Sequence, residues 1–65
     1  MKYLVNFLAE NTRLDTSMAR RAIIEGRVTV DGVVVTDTTA ELDSDIGQPV
    51  VVGYGGGVYT YRREA

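Results

Sequence analysis

Cysteine, histidine and tryptophan are absent from the 65 residues, and proline and phenylalanine occur once each. Without cysteine there is no disulfide framework, no thiol nucleophile and no thiolate metal ligand. Without histidine the chain lacks the commonest general base, the imidazole metal ligand and any Ser-His-Asp triad. No apolar run approaches the roughly 18 residues of a membrane span, and the N-terminus lacks a signal-peptide profile. These absences argue against an enzyme working alone, against a cofactor or bound metal and against a membrane partner. They favour a soluble, cytoplasmic binding module.

Apolar residues make up 45% of the chain and charged residues 25%, the mixture of a globular domain rather than a disordered segment. The length allows one domain, residues 1–65. A chain this short hides only about 60% of its unfolded surface, so the core must be small. Net charge is −2, which at first sight disfavours a nucleic-acid partner. Its distribution says otherwise. Residues 1–27 carry Lys2, Arg13, Arg20, Arg21 and Arg27 against three acids, a local charge of +2. Residues 28–48 hold Asp31, Asp37, Glu41, Asp43 and Asp45 with no base, and residues 49–65 return to +1.

Leu4, Phe7, Leu8 and Asn11 stand at i, i+3, i+4 and i+7, which predicts an amphipathic helix over about 2–11. Either Asp15 or Thr16 is placed to cap a second helix over about 16–25. Met18, Ala19, Ala22 and Ile23 form its apolar face, Arg20 and Arg21 leave that face on opposite sides, and Gly26 stops it. Asp31-Gly32 between valine-rich runs predicts a hairpin over about 28–35. Thr36 to Asp45 reads as polar and turn-like. Strands follow at about 50–53, with Pro49 at the start, and about 58–62, joined by a turn over Gly53 to Gly57. The tail from Arg62 is expected to fray. The fold class is α+β: two short N-terminal helices packed on a small, mostly antiparallel sheet of about four strands.

Ser17-Met18-Ala19-Arg20-Arg21-Ala22-Ile23, then Glu25-Gly26-Arg27-Val28, then Val30-Asp31-Gly32, resembles the ribosomal protein S4-like RNA-binding domain, the alpha-L motif. The family pattern runs S-x-x-A-R-x-L-I-x-x-G-x-V-x-V-N-G after a helix carrying a phrase like F-L-A-E, here Phe7 to Glu10. Val50 to Tyr61 extends the likeness toward the C-terminal domain of bacterial tyrosyl-tRNA synthetases, without their catalytic domain. The resemblance implies a non-catalytic module that binds structured RNA of the tRNA or rRNA class. Its contacts would be Arg20, Arg21 and Arg27, assisted by Arg13, with a phosphate at the start of the second helix.

Several positions that are often basic in the family hold Tyr3, Asn6, Thr16 and Ile24, and the turn asparagine is Asp31, which places a repulsive charge nearby. Fewer phosphate contacts mean a weaker, salt-sensitive grip. The alternative is therefore a fold with a depleted basic surface that serves as a protein-interaction or structural subunit, or as a homo-oligomer. Tyr3, Ile24 and Tyr54 would then be the contacts. A DNA-binding version lacks a long recognition helix. Gly53 to Gly57 reads as a flexible turn rather than a phosphate loop, since no Lys-Ser/Thr and helix follow it. Tyr59 and Tyr61 share a sheet face expected to pack on the helices. The acidic residues Asp37, Glu41, Asp43 and Asp45 lack the spacing of a calcium loop.

Overall fold

The computed structural model describes residues 2–42 and 49–62. In chain order the elements are β1 (Lys2–Tyr3), α1 (Leu4–Asn11), α2 (Thr16–Ile24), β2 (Val28–Val30), β3 (Val33–Val34), β4 (Glu41–Leu42), β5 (Val50–Tyr54) and β6 (Gly57–Tyr61). A four-stranded antiparallel sheet has the order β3-β2-β5-β6, and β1 pairs with β4 in a separate antiparallel ribbon. The two helices pack against this small sheet in the alpha-L arrangement. No helix among the described residues is long and apolar enough to cross a membrane.

Burial follows the apolar periodicity. Leu4, Val5, Phe7 and Leu8 of α1 meet Ala19, Ala22 and Ile23 of α2 over Val28, Leu42, Val50 and Val52. Alternation along β5 buries Val50 and Val52 and leaves Val51 facing out. Tyr59 and Tyr61, opposite Val52 and Val50, are half-buried on that inner face. The Tyr61 ring meets Phe7 edge-on at 5.9 Å and 84°, which ties the last strand to the first helix.

The first helix starts later than its periodicity suggests. Lys2 and Tyr3 are extended and pair with Leu42 and Glu41, a strand inside the segment read as turn-like. Tyr3 offers no side-chain cap; the Leu4 N–H donates to the Ala40 carbonyl at 3.0 Å instead. At the other end, Asn11 Nδ2 and Thr12 Oγ1 donate to the Phe7 and Leu8 carbonyls, so the helix closes without a glycine.

Asp15 is the cap of α2, its Oδ1 accepting from the Met18 N–H at 2.8 Å. Met18 itself is 54% exposed, because the inward face of so short a helix is filled by Ala19, Ala22 and Ile23. After Ile24 the chain closes through Gly26, φ +75°, with Gly26 N–H to Ile23 O and Arg27 N–H to Ala22 O both at 3.0 Å. The Asp31-Gly32 hairpin has positive φ at both residues, as a type I′ turn requires. The last turn is tighter than Gly53 to Gly57: β5 runs through Tyr54 and only Gly55 and Gly56 bridge to β6. Residues 63–65 of the tail lie outside the described residues.

The segment that caps α1 is held by Asp37. Its Oδ1 accepts from Thr39 Oγ1 at 2.7 Å and from the Thr39 N–H at 2.8 Å, and the Ala40 N–H donates to its carbonyl. The two donations from Thr39, the hydroxyl foremost, hold the Asp37 carboxyl below its ordinary value of 3.8. A depressed carboxylate stabilises the fold above its unfolded pKa, and that contribution disappears as pH falls through the lower folded value. Asp37→Ala is therefore expected to lower the urea midpoint at neutral pH, with the gap from the parent closing on acidification below 3.8. A gap that stays constant with pH would assign the effect to something other than the carboxylate.

Candidate nucleic-acid interface

A step of one residue turns a helix by about 100°, so neighbouring arginines on α2 face different surroundings. Arg20 lies toward the start of α1. It lines an open cavity of about 370 Å³ with Tyr3, Val5, Asn6, Thr38 and Thr39. Arg21 lies toward the end of α2, where its Nε is 3.5 Å from the Glu25 carboxylate. Arg27 reaches the same carboxylate from the following turn at 3.2 Å. Arg21, Glu25 and Arg27 line a second cavity of about 190 Å³ with Leu14, Met18, Ala22 and Tyr54. Arg13 is exposed in the α1–α2 loop and lines neither cavity.

The four arginines thus fall into a pair around Glu25, a single residue beside α1 and one in the loop. Their electrostatic standing differs accordingly. Glu25 offsets part of the charge of Arg21 and Arg27, although exposed pairs of this kind contribute little to stability. Among the described residues neither Arg20 nor Arg13 forms a salt bridge. Among the described residues the cavity beside Arg20 is lined by no carboxylate, and its other polar groups there are two threonines, an asparagine and the Tyr3 phenol. A positive fork among neutral hydroxyl and amide groups suits a phosphate oxygen or a ribose hydroxyl.

The three aromatic or apolar candidates also part company. Tyr3, 50% exposed, joins Arg20; Tyr54, half-buried, joins Arg21 and Arg27; Ile24, 64% exposed, lines neither cavity. Asp31 has a structural task that its charge did not suggest. β2 ends at Val30, and Asp31 continues the ladder to β5: its N–H donates to the Val51 carbonyl at 2.8 Å, and its Oδ1 accepts from the Val51 N–H at 3.0 Å. Asp43 and Asp45 lie outside the described residues.

Thr38, Thr39 and Glu25 were not singled out by composition or spacing. Asp37-Thr38-Thr39 is an Asx-turn sequence, and that signal was available to place the two threonines in an ordered loop. Glu25, four residues after Arg21 and two before Arg27, carries an i,i+4 signal for the first of its pairs. What joins these residues to Tyr3 and Tyr54 is the β1–β4 ribbon and the β2–β5 pairing, which are contacts between distant parts of the chain.

Residues 4–44, which take in both helices, the Asp31-Gly32 hairpin and β4, match the family model described as the S4 domain. No curated protein matches the chain.

Proposed function

The chain belongs to the S4 domain family, whose members are non-catalytic RNA-binding modules, and from that premise we propose that it binds structured RNA on the helix-pair face centred on Arg20. The observation that carries the reading is the match across residues 4–44, the segment holding Arg13, Arg20, Arg21 and Arg27. Among the described residues no carboxylate lines the cavity beside Arg20 and Arg20 forms no salt bridge, so its charge is more available to a phosphate than those of Arg21 and Arg27. Tyr3 and Asn6 replace basic residues beside it, which limits the number of phosphates neutralised. Arg13 assists from the loop. Arg21 and Arg27 contribute less per residue to phosphate binding because Glu25 stands between them.

A tRNA transcript is the first probe, since Val50 to Tyr61 resembles the corresponding part of synthetase C-terminal domains. Such a partner implies a cytoplasmic setting. Fluorescence anisotropy across a salt series is expected to give a log K that falls linearly with log salt. Arg20→Ala should lower affinity about tenfold and flatten the slope by about one. Arg21→Ala should do less. Absence of binding at about 50 mM salt, or an Arg20→Ala variant that binds like the parent, would overturn the assignment.

The exposure of Ile24 favours a second reading, contact with another protein or another copy of the chain. Sedimentation across a concentration series tests the copy, and a concentration-independent monomer would remove it.

A further inference from the structure

The cavity of about 190 Å³ at the end of α2 is built differently from the one beside Arg20. Its apolar lining comes from Leu14, Met18 and Ala22, and half-buried Tyr54 on β5 joins them. Arg21, Glu25 and Arg27 supply its charged lining. Glu25 stands between the two guanidiniums at 3.5 and 3.2 Å, yet among the described residues its carboxylate accepts no hydrogen bond. An ionised carboxylate has two oxygens and about four acceptor sites, so it retains capacity for a ligand that brings donors.

Apolar and aromatic surface, a carboxylate acceptor and flanking positive charge are together what an unpaired nucleobase requires. Proteins read single-stranded RNA by stacking splayed bases on aromatic rings or guanidinium planes and hydrogen-bonding their edges. The acceptor selects the base. Guanine alone presents two adjacent donors, N1–H and N2–H, that match the two oxygens of a carboxylate side by side. Adenine and cytosine each present one amino group beside an acceptor nitrogen, and that acceptor faces the second carboxylate oxygen unfavourably. Uracil presents one N–H between two carbonyls.

We propose that this cavity receives an unpaired guanine, stacked against Tyr54, with its N1–H and N2–H donating to Glu25 and its flanking phosphates drawn to Arg21 and Arg27. The proposal rests on the RNA-binding reading and adds a base-specific subsite to it. Glu25 then has a role opposite to the one its charge suggests. It repels the backbone in general and admits one base in particular.

The experiment uses the full chain, isotope-labelled, titrated with four single-stranded pentanucleotides that carry G, A, C or U at the centre of a uridine run. The G-centred strand is expected to bind about tenfold tighter than the others, consistent with one good bidentate base contact. Amide shifts should cluster at Ala22, Glu25, Arg27 and Tyr54. Glu25→Gln keeps the size and removes the paired acceptor. It should erase the preference and strengthen the binding of the other three strands, because Arg21 and Arg27 are then no longer offset.

Equal affinity for all four strands would overturn the subsite, as would shifts confined to the Arg20 cavity or a preference that survives Glu25→Gln. The failure of the two readings is separable. If a tRNA transcript binds in an Arg20-dependent manner while no strand is preferred, only the subsite falls. If neither tRNA nor pentanucleotide binds, both readings fall together.

Discussion

Ile23→Ala is expected to abolish a cooperative unfolding transition, or to bring its urea midpoint close to zero. Ile23 is completely buried, at the point where α2 meets α1 and the sheet. Truncating such a residue removes its transfer energy and leaves a cavity, together about 2–5 kcal/mol. Whole-molecule stability of about 0.05–0.15 kcal/mol per residue gives a 65-residue chain about 3–10 kcal/mol. The loss is therefore a large fraction of the total. Ile24 supplies the internal control. It is the same residue type one position along the same helix, but 64% exposed. Ile24→Ala should change stability by no more than about 0.5 kcal/mol. Far-UV circular dichroism across a urea series measures both. An Ile23→Ala variant that melts with the parent would show that α2 does not depend on this contact.

That contrast explains why the helices were readable in the sequence. Ala19, Ala22 and Ile23 recur on one face, Gly26 follows, and a cap precedes; each signal acts within a few residues. The same holds for the two tight turns, where Asp31-Gly32 and Gly55-Gly56 supply positive φ. The misreadings have a common cause. Lys2 and Tyr3 continue the helical pattern in sequence, but Leu42 and Glu41 claim them as strand partners from the far side of the hairpin. Leu42 is buried in a stretch otherwise dominated by acids and threonines, and one apolar residue gives no period to read. Met18 shows the converse. Its spacing is right for the core, yet the core beneath a nine-residue helix has room only for its small neighbours and Ile23.

The candidate site was legible as a set of residue types rather than as an arrangement. Helical geometry separates Arg20 from Arg21, and this much follows from their being adjacent. That Arg20 faces Tyr3 and the Thr38–Thr39 turn depends on the β1–β4 ribbon and the Ala40 cap of α1. That Arg21 and Arg27 face Tyr54 depends on β2 pairing with β5 in the register Val28 to Tyr54. Asp31 shows the limit of reading charge alone. Its acidity predicts repulsion of a polyanion, but its carboxylate takes a backbone donor that β2 is too short to reach. An asparagine oxygen accepts in the same way and tolerates the same left-handed backbone.

The outer face of the sheet yields the other large effect. Gly53 lies within β5, an inner strand, and pairs with Thr29 on one side and Val58 on the other. A Cβ at Gly53 would stand 2.5 Å from Thr29 Oγ1, well inside contact distance, while Thr29 Cβ is at 3.9 Å. Replacing a strand glycine by alanine where the backbone permits it normally stabilises by about 0.4–1 kcal/mol, by restricting the unfolded chain. Here the sign reverses. Gly53→Ala is expected to destabilise by about 1–3 kcal/mol, because Thr29 is β-branched and its χ1 has few alternatives. The remedy is specific. Thr29→Ala removes the hydroxyl and the methyl together, so the double variant should recover most of the loss. The coupling in the double-mutant cycle should reach about 1–2 kcal/mol. Thr29→Val, which keeps two γ atoms, should give no relief. A Gly53→Ala variant as stable as the parent, or one that Thr29→Ala fails to rescue, would rule out the close approach as the reason for glycine. Arg20 lies on the helix side of the molecule, so the affinity of the folded fraction for a tRNA transcript should be unchanged by either substitution. The Gly53–Thr29 contact and the proposed binding face on the helices therefore lie on opposite sides of the sheet, and the two measurements separate them.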